Sequence, residues 1–306
     1  MPIKVSTGNQ SQQFAGNSDT QTPQNSLQAQ QPTTSTVSST YEYADPNSIK
    51  VTIADGKTPI VILYGPPSCG KTMTLIRLTR YLLTQGYTVV PEKTFRPSAD
   101  TKYKSLCDGF DQFINSNTAA QGTSHIDFML VKVLKDGRPV CQLLEAPGEL
   151  YFNPDAPDAP YPPYVNEILN GSNRKVWLIM VEPDWSDATP RKNYVTRIQR
   201  LKSQMTMQDK VLFVFNKIDK TPFVINAGHV NVKAAISNVE NLYPNIFTPF
   251  KNQNPLTKWI TKYNCEFVPF TTGNYSPSLS GGFTYTESHS IYAQKLWNAM
   301  HKLLMG

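Results

Sequence analysis

The sequence predicts an α/β fold with a mostly parallel sheet, one antiparallel edge strand and helices on both faces. Short apolar runs rich in β-branched residues alternate along the chain with amphipathic segments, which is typical of parallel strands joined by crossover helices. In addition, Ile126, Phe128 and Leu130 stand at alternate positions, the pair Asp136-Gly137 marks a turn, and a second apolar run follows at 140–144. This pattern indicates a β-hairpin, which supplies the antiparallel strand.

The remaining elements follow from the spacing of apolar residues, with continuous runs for strands and a helical period for helices. Residues 91–122 have no clear pattern, and residues 151–164 form a Pro-rich loop. Besides the hairpin, strands are predicted at 60–64, 87–90, 176–181, 211–215 and 266–270. Helices are predicted at 73–84, 194–205, 232–242, 256–263 and 288–304.

The first 45 residues differ in composition from the rest of the chain. They are dominated by Gln, Ser, Thr, Asn, Pro and Gly, with almost no bulky apolar side chain. Such a segment cannot bury enough surface to offset the entropy of ordering it. We therefore predict a disordered tail at 1–45 and one domain at 46–306. The tail is either a tether or partner-binding segment, or a solvated extension without a specific role.

Charge and cysteine usage limit the classes of partner and compartment. The net charge of +6 admits an acidic partner, but the basic residues are spread along the chain. The densest basic stretch, 191–202, lies on a predicted helix and is interpreted as a solvated face, so no nucleic-acid partner is predicted. No apolar run approaches the ~20 residues that span a bilayer. The start of the chain lacks a signal core and the four cysteines are scattered, which predicts a cytoplasmic protein with free thiols.

Residues 65–72 match the phosphate-binding pattern GxxxxGK[ST] and stand between a predicted strand and a predicted helix, as the motif requires. Its glycines let consecutive N–H groups point at a phosphate, and the helix N-terminus adds a positive dipole end. Lys71 can reach the β- and γ-phosphates, and the Thr72 hydroxyl can ligate Mg²⁺. The alternative is a chance match in a Gly/Pro loop. The predicted phosphate-binding residues are Gly65, Pro66, Pro67, Ser68, Cys69, Gly70, Lys71, Thr72 and Met73.

A second motif, Asn216-Lys217-Ile218-Asp219, follows the predicted strand 211–215 and matches NKxD. The Asp219 carboxylate can accept hydrogen bonds from guanine N1–H and from its exocyclic amine. Adenine has no N1–H donor and would leave the carboxylate unpaired, at a cost of ~1–3 kcal/mol or more. Asn216 would brace the loops around the base, and the stem of Lys217 would cover one face of the purine. The alternative for this tetrapeptide is a solvated turn.

These ordered motifs resemble those of the Ras-like small GTPases, within the wider class that includes translation factors. The resemblance covers about residues 50–306 and implies the P-loop GTPase fold with GTP or GDP and Mg²⁺ as ligands. In that family a threonine of the first switch binds Mg²⁺ and the γ-phosphate. Thr123 is the matching residue, with Thr118 and Ser124 as alternatives.

The resemblance also assigns the second switch and the last base-contacting loop. The family motif DxxG appears here as Glu145-Ala146-Pro147-Gly148. Glu145 would hold the metal through water, and the Gly148 N–H would meet the γ-phosphate. Thr72, Thr123 and Glu145 are therefore the expected metal-binding residues. The segment Thr271-Thr272-Gly273 occupies the place of the family's Ser-Ala-Lys loop, so Thr272 and Gly273 are expected at the base.

Three departures from the family pattern concern activity. Glu145 replaces an aspartate and is one methylene longer. Glu149 stands where the family places a glutamine that orients the attacking water, and its pKa decides whether it can act as a base. Pro67 removes an N–H donor near the γ-phosphate. The expected catalytic residues are Lys71, Gly148 and Glu149, and without an arginine finger hydrolysis is expected to be slow.

The predicted function is a Mg²⁺-dependent GTP-binding switch with slow intrinsic hydrolysis of GTP to GDP and phosphate. A non-hydrolysing GTP-binding scaffold is the main alternative, and an ATP-using P-loop enzyme is a second. Exposed aromatics of the loop 151–164, together with the switch segments, are expected to contact a protein effector, although a packed structural loop is an equal alternative. Arg96 is either a finger in cis or a solvated loop residue, and Cys69 is either a reactive thiol or a small loop filler.

Overall fold

The computed structural model describes residues 45–116, 128–148, 156–183, 185–277 and 283–306. The predicted tail at 1–45 lies almost entirely outside these residues. The helices of the described part are α1 (Lys71–Thr84), α2 (Thr101–Asp108), α3 (Phe110–Asn115), α4 (Pro163–Asn170), α5 (Ala188–Gln204), α6 (Val232–Leu242) and α7 (Ile291–Met305). Short 3-10 turns occur at Pro46–Ser48, Ile218–Lys220 and Thr248–Phe250. The strands are β1 (Ile60–Tyr64), β2 (Tyr87–Pro91), β3 (Met129–Lys135), β4 (Arg138–Glu145), β5 (Lys175–Val181), β6 (Lys210–Phe215), β7 (Val224–Asn226), β8 (His229–Val230), β9 (Glu266–Pro269), β10 (Gly273–Pro277) and β11 (Phe283–Glu287).

Seven strands form one sheet in the order β2-β3-β4-β1-β5-β6-β9. The strands from β4 to β9 pair in parallel, and β3 is antiparallel to both β2 and β4. Every residue of β1 and β5 is buried, as expected for strands covered on both faces. The predicted α/β fold, with a mainly parallel sheet and flanking helices, is confirmed. The antiparallel strand is β3, and β2 lies outside it at the edge of the sheet.

The packing around β1 holds the strand that leads into the phosphate loop. Tyr64, its last residue, is fully buried, and its ring stacks on Tyr194 of α5 at 6.1 Å between centroids. Trp177 of β5 meets the same ring edge-on at 6.1 Å. Aromatic pairs of this kind add to the free energy gained by burying their area. The end of β1 is therefore fixed from a neighbouring strand and from a covering helix.

The hairpin predicted from alternation joins β3 and β4. Its turn residues Asp136 and Gly137 have φ angles of 52° and 72°. Positive φ at both central residues matches the twist of the strands, which is why Asp-Gly is favoured there. The predicted start of this hairpin at Ile126 lies outside the described residues, and the strand begins at Met129.

The helix predicted at 256–263 is wrong, because residues 255–260 form turns. Helices in proteins gain most of their stability by packing an apolar face, and here Leu256, Trp259 and Ile260 are exposed. The Asn254 side chain accepts a hydrogen bond from the Leu256 N–H at 2.9 Å, as an N-cap residue does, but only turns follow it. Two further features were not predicted. The unpatterned stretch 91–122 contains α2 and α3, and small hairpins are formed by β7–β8 and β10–β11.

Candidate functional site

The phosphate loop connects β1 to α1 through a backbone that most side chains would block. Ser68 and Gly70 have φ angles of 60° and 92°, in the left-handed region. A Cβ on Gly70 would lie 2.4 Å from Asn216 Nδ2, and one on Gly65 would lie 2.5 Å from Cys69 Sγ. Both glycines therefore stand where the backbone makes a close approach, as the motif requires.

Lys71 begins α1 and is buried, with an exposed fraction of 2%. Its ammonium group donates to the carbonyl oxygens of Gly65 at 3.1 Å and Pro66 at 2.9 Å. The positive charge thus lies inside the curve of the loop, beside the amides that follow. This is the position from which a lysine can pair with a phosphate.

Thr72 and Glu145 meet next to Lys71, although they are 73 residues apart in the sequence. Parallel pairing of β1 with β4 places Glu145 opposite Leu63, at the entrance to the phosphate loop. The Thr72 hydroxyl donates to Glu145 Oε1. The other carboxylate oxygen, Oε2, is buried and has no hydrogen-bond partner among the described residues.

This oxygen-rich pair fits a small divalent cation. Mg²⁺ prefers oxygen ligands and is commonly held by one or two side-chain oxygens together with phosphates and water. The unpartnered Glu145 Oε2 and the Thr72 hydroxyl supply such donors beside a phosphate loop. Burial raises the pKa of Glu145 to about 7, and the Thr72 hydrogen bond and the charge of Lys71 oppose this only in part.

The raised pKa of Glu145 predicts how stability depends on pH in the protein without metal or nucleotide. The ordinary value of 4.5 applies when the chain is unfolded, so between pH 4.5 and about 7 the folded state binds more protons. The free energy of unfolding should therefore fall as pH rises through this window, by about 3 kcal/mol in total. Urea unfolding in EDTA at several pH values measures it.

The control for this measurement is Glu145→Gln, which keeps the shape and removes the titration. We expect the variant to lose this contribution to the pH dependence between pH 4.5 and 7. Identical slopes for the two proteins would contradict a buried, uncharged Glu145 in the folded state.

Gly148 follows β4 and lies directly against the phosphate loop. A Cβ on this residue would lie 2.5 Å from the Pro67 nitrogen and 2.7 Å from Lys71 Nζ. Only a residue without a side chain fits at this distance, so the backbone of the second switch motif reaches the loop. Glu149 lies outside the described residues, as do Thr123 and its alternatives Thr118 and Ser124.

The segment Asn216 to Asp219 and the phosphate loop face one cavity of about 320 Å³. Its walls come from the ends of β1, β6 and β9 and from the start of β10. Neighbouring parallel strands bring these segments to the same edge of the sheet, where ligands of open α/β sheets bind. The lining residues are Ser68, Gly70, Thr72, Met73, Asn216, Lys217, Asp219, Lys220, Thr271, Thr272, Gly273 and Tyr275.

Asn216 ties the two motifs together. Its amide Nδ2 donates to the Cys69 carbonyl at 2.6 Å, and only 1% of the residue is exposed. The predicted bracing role thus corresponds to a direct bond between the phosphate loop and the segment that carries Asp219. Lys217 has φ 55°, and its ammonium pairs with Glu182 Oε2 at 2.8 Å. That ion pair holds the Lys217 side chain at the cavity.

The hairpin β10–β11 is a part of the site that was not predicted from the sequence. It begins at Gly273, and Tyr275 on its first strand lines the cavity. Glu287, which ends its second strand and pairs with Gly273, forms ion pairs with two arginines of α1, Arg77 and Arg80, the latter at 2.6 Å. The hairpin is thus attached to the helix that begins at Lys71. The glycine pair at 281–282, followed by alternating residues, was a hairpin signal in the sequence.

Arg96 and Cys69 have structural roles. Arg96 is neither an arginine finger nor solvated, since it is 5% exposed and donates to the Lys50 carbonyl and to Asp100. Cys69 is fully buried, and burial raises the pKa of its thiol. Loss of solvation outweighs the positive charge of Lys71, so the shift is opposite to the lowered pKa of a reactive thiol. The interpretation as a loop filler fits the structure.

The Pro-rich loop 151–164 also differs from the expectation of exposed aromatics. Residues 151–155 lie outside the described part, and in the remainder Tyr161 and Tyr164 are buried. The Arg197 guanidinium lies 4.1 Å from the centre of the Tyr161 ring and donates to the Ala159 carbonyl at 2.5 Å. With an exposed fraction of 2%, Arg197 is not part of a solvated basic face either. The described half of the loop packs onto α5.

No protein-family model matches the chain, and no curated protein matches it in sequence. Among solved structures it is similar to nucleolar GTP-binding protein 1 from Plasmodium falciparum, at 15% identity and a TM-score of 0.41 over 84% of this chain and 90% of that one. Toc33 from Arabidopsis thaliana, solved with Mg²⁺ and GMPPNP, is 12% identical with a TM-score of 0.43 over 82% and 85%. The S. cerevisiae Ski7 GTPase-like domain, solved with GDP and inorganic phosphate, is 13% identical with a TM-score of 0.39 over 80% and 50%.

Within the described ranges, no helix is both long and apolar enough to cross a bilayer.

Proposed function

We propose that this chain is a P-loop GTPase that binds GTP with Mg²⁺, hydrolyses it slowly and changes shape when the γ-phosphate is lost. One observation carries the proposal. A single cavity is lined by Gly70 and Thr72 at its phosphate end and by Asp219 at its base end, and the 2.6 Å bond from Asn216 to the Cys69 carbonyl joins the two ends.

Guanine is the base that this lining favours. The Asp219 carboxylate can accept two hydrogen bonds from the edge of guanine, whereas adenine offers no N1–H donor. Lys217 would cover one face of the purine with its stem, a placement supported by the ion pair to Glu182. Thr272 and Gly273 line the same cavity and would contact the base through the loop after β9.

Thr72 and Glu145 would hold Mg²⁺, with Thr123 joining them from the first switch. When bound, the metal neutralises charge on the phosphates. Glu145 must ionise to take part, so metal binding should weaken below the pKa of about 7. The longer glutamate side chain suits this role because its Oε1 already accepts from the Thr72 hydroxyl.

Slow hydrolysis follows from what these residues supply and what they omit. Lys71 and the Gly148 N–H would stabilise charge on the γ-phosphate, and Glu149 would position or deprotonate the attacking water. Pro67 offers no N–H to the same phosphate, and Arg96 is buried and bonded elsewhere, so it supplies no finger. Phosphoryl transfer without an arginine finger is slow. Loss of the γ-phosphate would release Gly148 and Thr123, and an effector would read these switch segments.

We place the chain in the cytoplasm, which the four free cysteines support. Tyr161 and Tyr164 are not part of the proposed effector contact, because both rings are buried. It is therefore confined to the switch segments and to residues 151–155 of the Pro-rich loop.

Nucleotide competition tests the proposal. Unlabelled GTP and ATP, each with Mg²⁺, would be titrated against a fluorescent GDP analogue bound to the full chain. We expect GTP to displace the probe at concentrations roughly 100-fold lower than ATP, since adenine leaves a carboxylate unpaired. Equal competition would support an ATP-using enzyme and would end the guanine assignment.

Single-turnover cleavage of Mg·GTP tests hydrolysis separately from binding. We expect slow but measurable phosphate release, far below the ~10 s⁻¹ of a typical enzyme. Lys71→Ala at saturating GTP is the background control, because it removes the charge that meets the γ-phosphate. Turnover near the typical value without a partner would contradict the prediction.

A non-hydrolysing GTP-binding scaffold is the second candidate function. The observation that favours it is Pro67, which removes an N–H donor and is in van der Waals reach of Gly148. Tight binding of Mg·GTP together with cleavage no faster than in Lys71→Ala would establish this alternative.

A further inference from the structure

An exposed apolar turn lies on the segment that leads into β9. We define the apolar turn as residues 254–261. Three of its side chains, Leu256, Trp259 and Ile260, have exposed fractions of 84%, 85% and 82%. Backbone hydrogen bonds from the Lys258 N–H to the Asn254 carbonyl and from the Thr261 N–H to the Thr257 carbonyl, each at 3.0 Å, form local helical turns, so positions 256, 259 and 260 lie on one side of the segment. Single exposed apolar residues are common, whereas adjacent large ones mark sites of interaction with proteins or membranes.

The backbone of the apolar turn is held by specific hydrogen bonds rather than left loose. Asn252, at 9% exposed, donates from Nδ2 to Thr257 Oγ1 at 2.9 Å and to the Thr261 carbonyl at 3.1 Å. A bridge between Lys251 and Tyr263 closes the base of the turn. A buried polar side chain therefore organises a turn whose apolar side chains face outward.

The charged residues of the segment that carries the turn are all positive, and one of them is paired with an acidic residue of α6. Residues 241–265 contain Lys251, Lys258 and Lys262 but no Asp or Glu, in a chain of net charge +6. Lys258 Nζ lies 5.6 Å from the centre of the Trp259 ring. Glu240 of α6 pairs with Lys262 at 3.3 Å. A partner that complements an exposed tryptophan with lysines beside it has an apolar interior and an anionic surface.

The turn lies at the opposite end of the sheet from the nucleotide cavity. It precedes β9, whereas the cavity residues Thr271 to Gly273 follow that strand. Occupation of the turn leaves the cavity accessible. A partner could therefore bind both nucleotide states of the protein.

We propose that the apolar turn inserts into the interface of an anionic membrane. Trp, with a ring that suits the headgroup level, and Lys, which pairs with anionic headgroups, are the residues that interfaces favour. Three side chains expose far less than the ~800 Å² per partner of a standard protein interface. Insertion into lipid needs no matching protein surface, and its strength follows from apolar area together with attraction to anionic lipids.

Co-sedimentation of the full chain with vesicles tests the proposal. Vesicles of phosphatidylcholine alone would be compared with vesicles containing phosphatidylserine. We expect binding to the anionic vesicles, weakened by salt, and little binding to the neutral ones. Neutralising Lys251, Lys258 and Lys262 as glutamines should weaken binding roughly a hundredfold. The triple change Leu256→Ser, Trp259→Ser and Ile260→Ser should abolish it.

Trp259 provides a second readout that a general charge effect would not move. The other three tryptophans are buried or half-buried, so vesicle insertion should shift the emission of Trp259 to the blue, and Trp259→Phe should remove that shift. Ile225→Ser is the matched control, since Ile225 is a 64% exposed apolar residue elsewhere. It should leave vesicle binding unchanged, and GTP affinity should be unchanged in all variants.

Three results would overturn the proposal. One is no binding to phosphatidylserine vesicles, and another is binding that survives the triple serine change. The third is self-association by sedimentation velocity that the serine change abolishes, without vesicle binding, which would assign the turn to a second copy of the chain. Failure here leaves the nucleotide proposal intact, because the two sites are read by different measurements.

Discussion

Asp219→Asn is expected to transfer base preference from guanine to xanthine. The amide oxygen can still accept from N1–H, but the amide nitrogen would face the exocyclic amine of guanine, donor against donor. Xanthine carries a carbonyl at that position and restores the second bond. We expect GTP affinity to fall by about 100-fold, near 3 kcal/mol, and xanthosine triphosphate to become the better ligand.

Competition against a fluorescent GDP or xanthosine diphosphate analogue measures this exchange directly. Asp136→Asn is the matched control, because Asp136 lies in the β3–β4 turn at φ 52°, which asparagine tolerates. The control should keep the original preference. If Asp219→Asn leaves the choice among GTP, ATP and xanthosine triphosphate untouched, Asp219 does not read the base.

Gly70→Ala is expected to weaken GTP binding by roughly a hundredfold. The residue has φ 92°, and its added methyl would lie 2.4 Å from Asn216 Nδ2. Relief of this contact moves the loop or breaks the bond from Asn216 to the Cys69 carbonyl. GTP binding must then restore the conformation of the phosphate loop. The cost is about 3 kcal/mol, because a non-glycine residue is placed in the left-handed region and a hydrogen bond is lost. Calorimetric titration with Mg·GTP measures the loss.

Gly137→Ala separates the steric effect from the backbone effect. Gly137 has φ 72° but nothing within 4 Å of an added Cβ. We expect Gly137→Ala to lower the free energy of unfolding by the cost of a non-glycine residue in the left-handed region, as in Gly70→Ala. GTP affinity should be unchanged. Equal GTP affinity in wild type and Gly70→Ala would show that close packing of the loop against Asn216 is not needed for binding.

Much of the fold could be predicted because it depends on local pattern. The strands β1, β5 and β6 are short apolar runs, and the Asp136-Gly137 turn requires residues that accept positive φ. The error at 256–263 has a physical cause. The helical spacing of Leu256, Trp259 and Ile260 predicts a packed face, but these three side chains are exposed. Periodicity describes which residues share a side, and it does not describe what lies opposite them.

The environment of single side chains also could not be predicted from the sequence pattern. Arg96 and Arg197 look like surface cations in the sequence, yet both are buried and bonded to backbone carbonyls. Such bonds depend on loops that come close only after folding. The position of Tyr275 in the site also depends on folding. Tyr275 lies on the hairpin that follows Thr272, and Glu287 of this hairpin forms an ion pair with α1.

The reactive groups of the candidate site can be identified from the amino-acid order alone. They are a loop of amides with Lys71 and Thr72, and a carboxylate at Asp219 after a buried strand. Which of these groups meet depends on the folded chain. Asn216 bonds to Cys69 across 147 residues, and burial raises the pKa of Glu145 to about 7 in spite of its hydrogen bond from Thr72. The reason is that spacing along a chain encodes local conformation, whereas pairing between distant strands and the loss of solvent depend on the packed sheet.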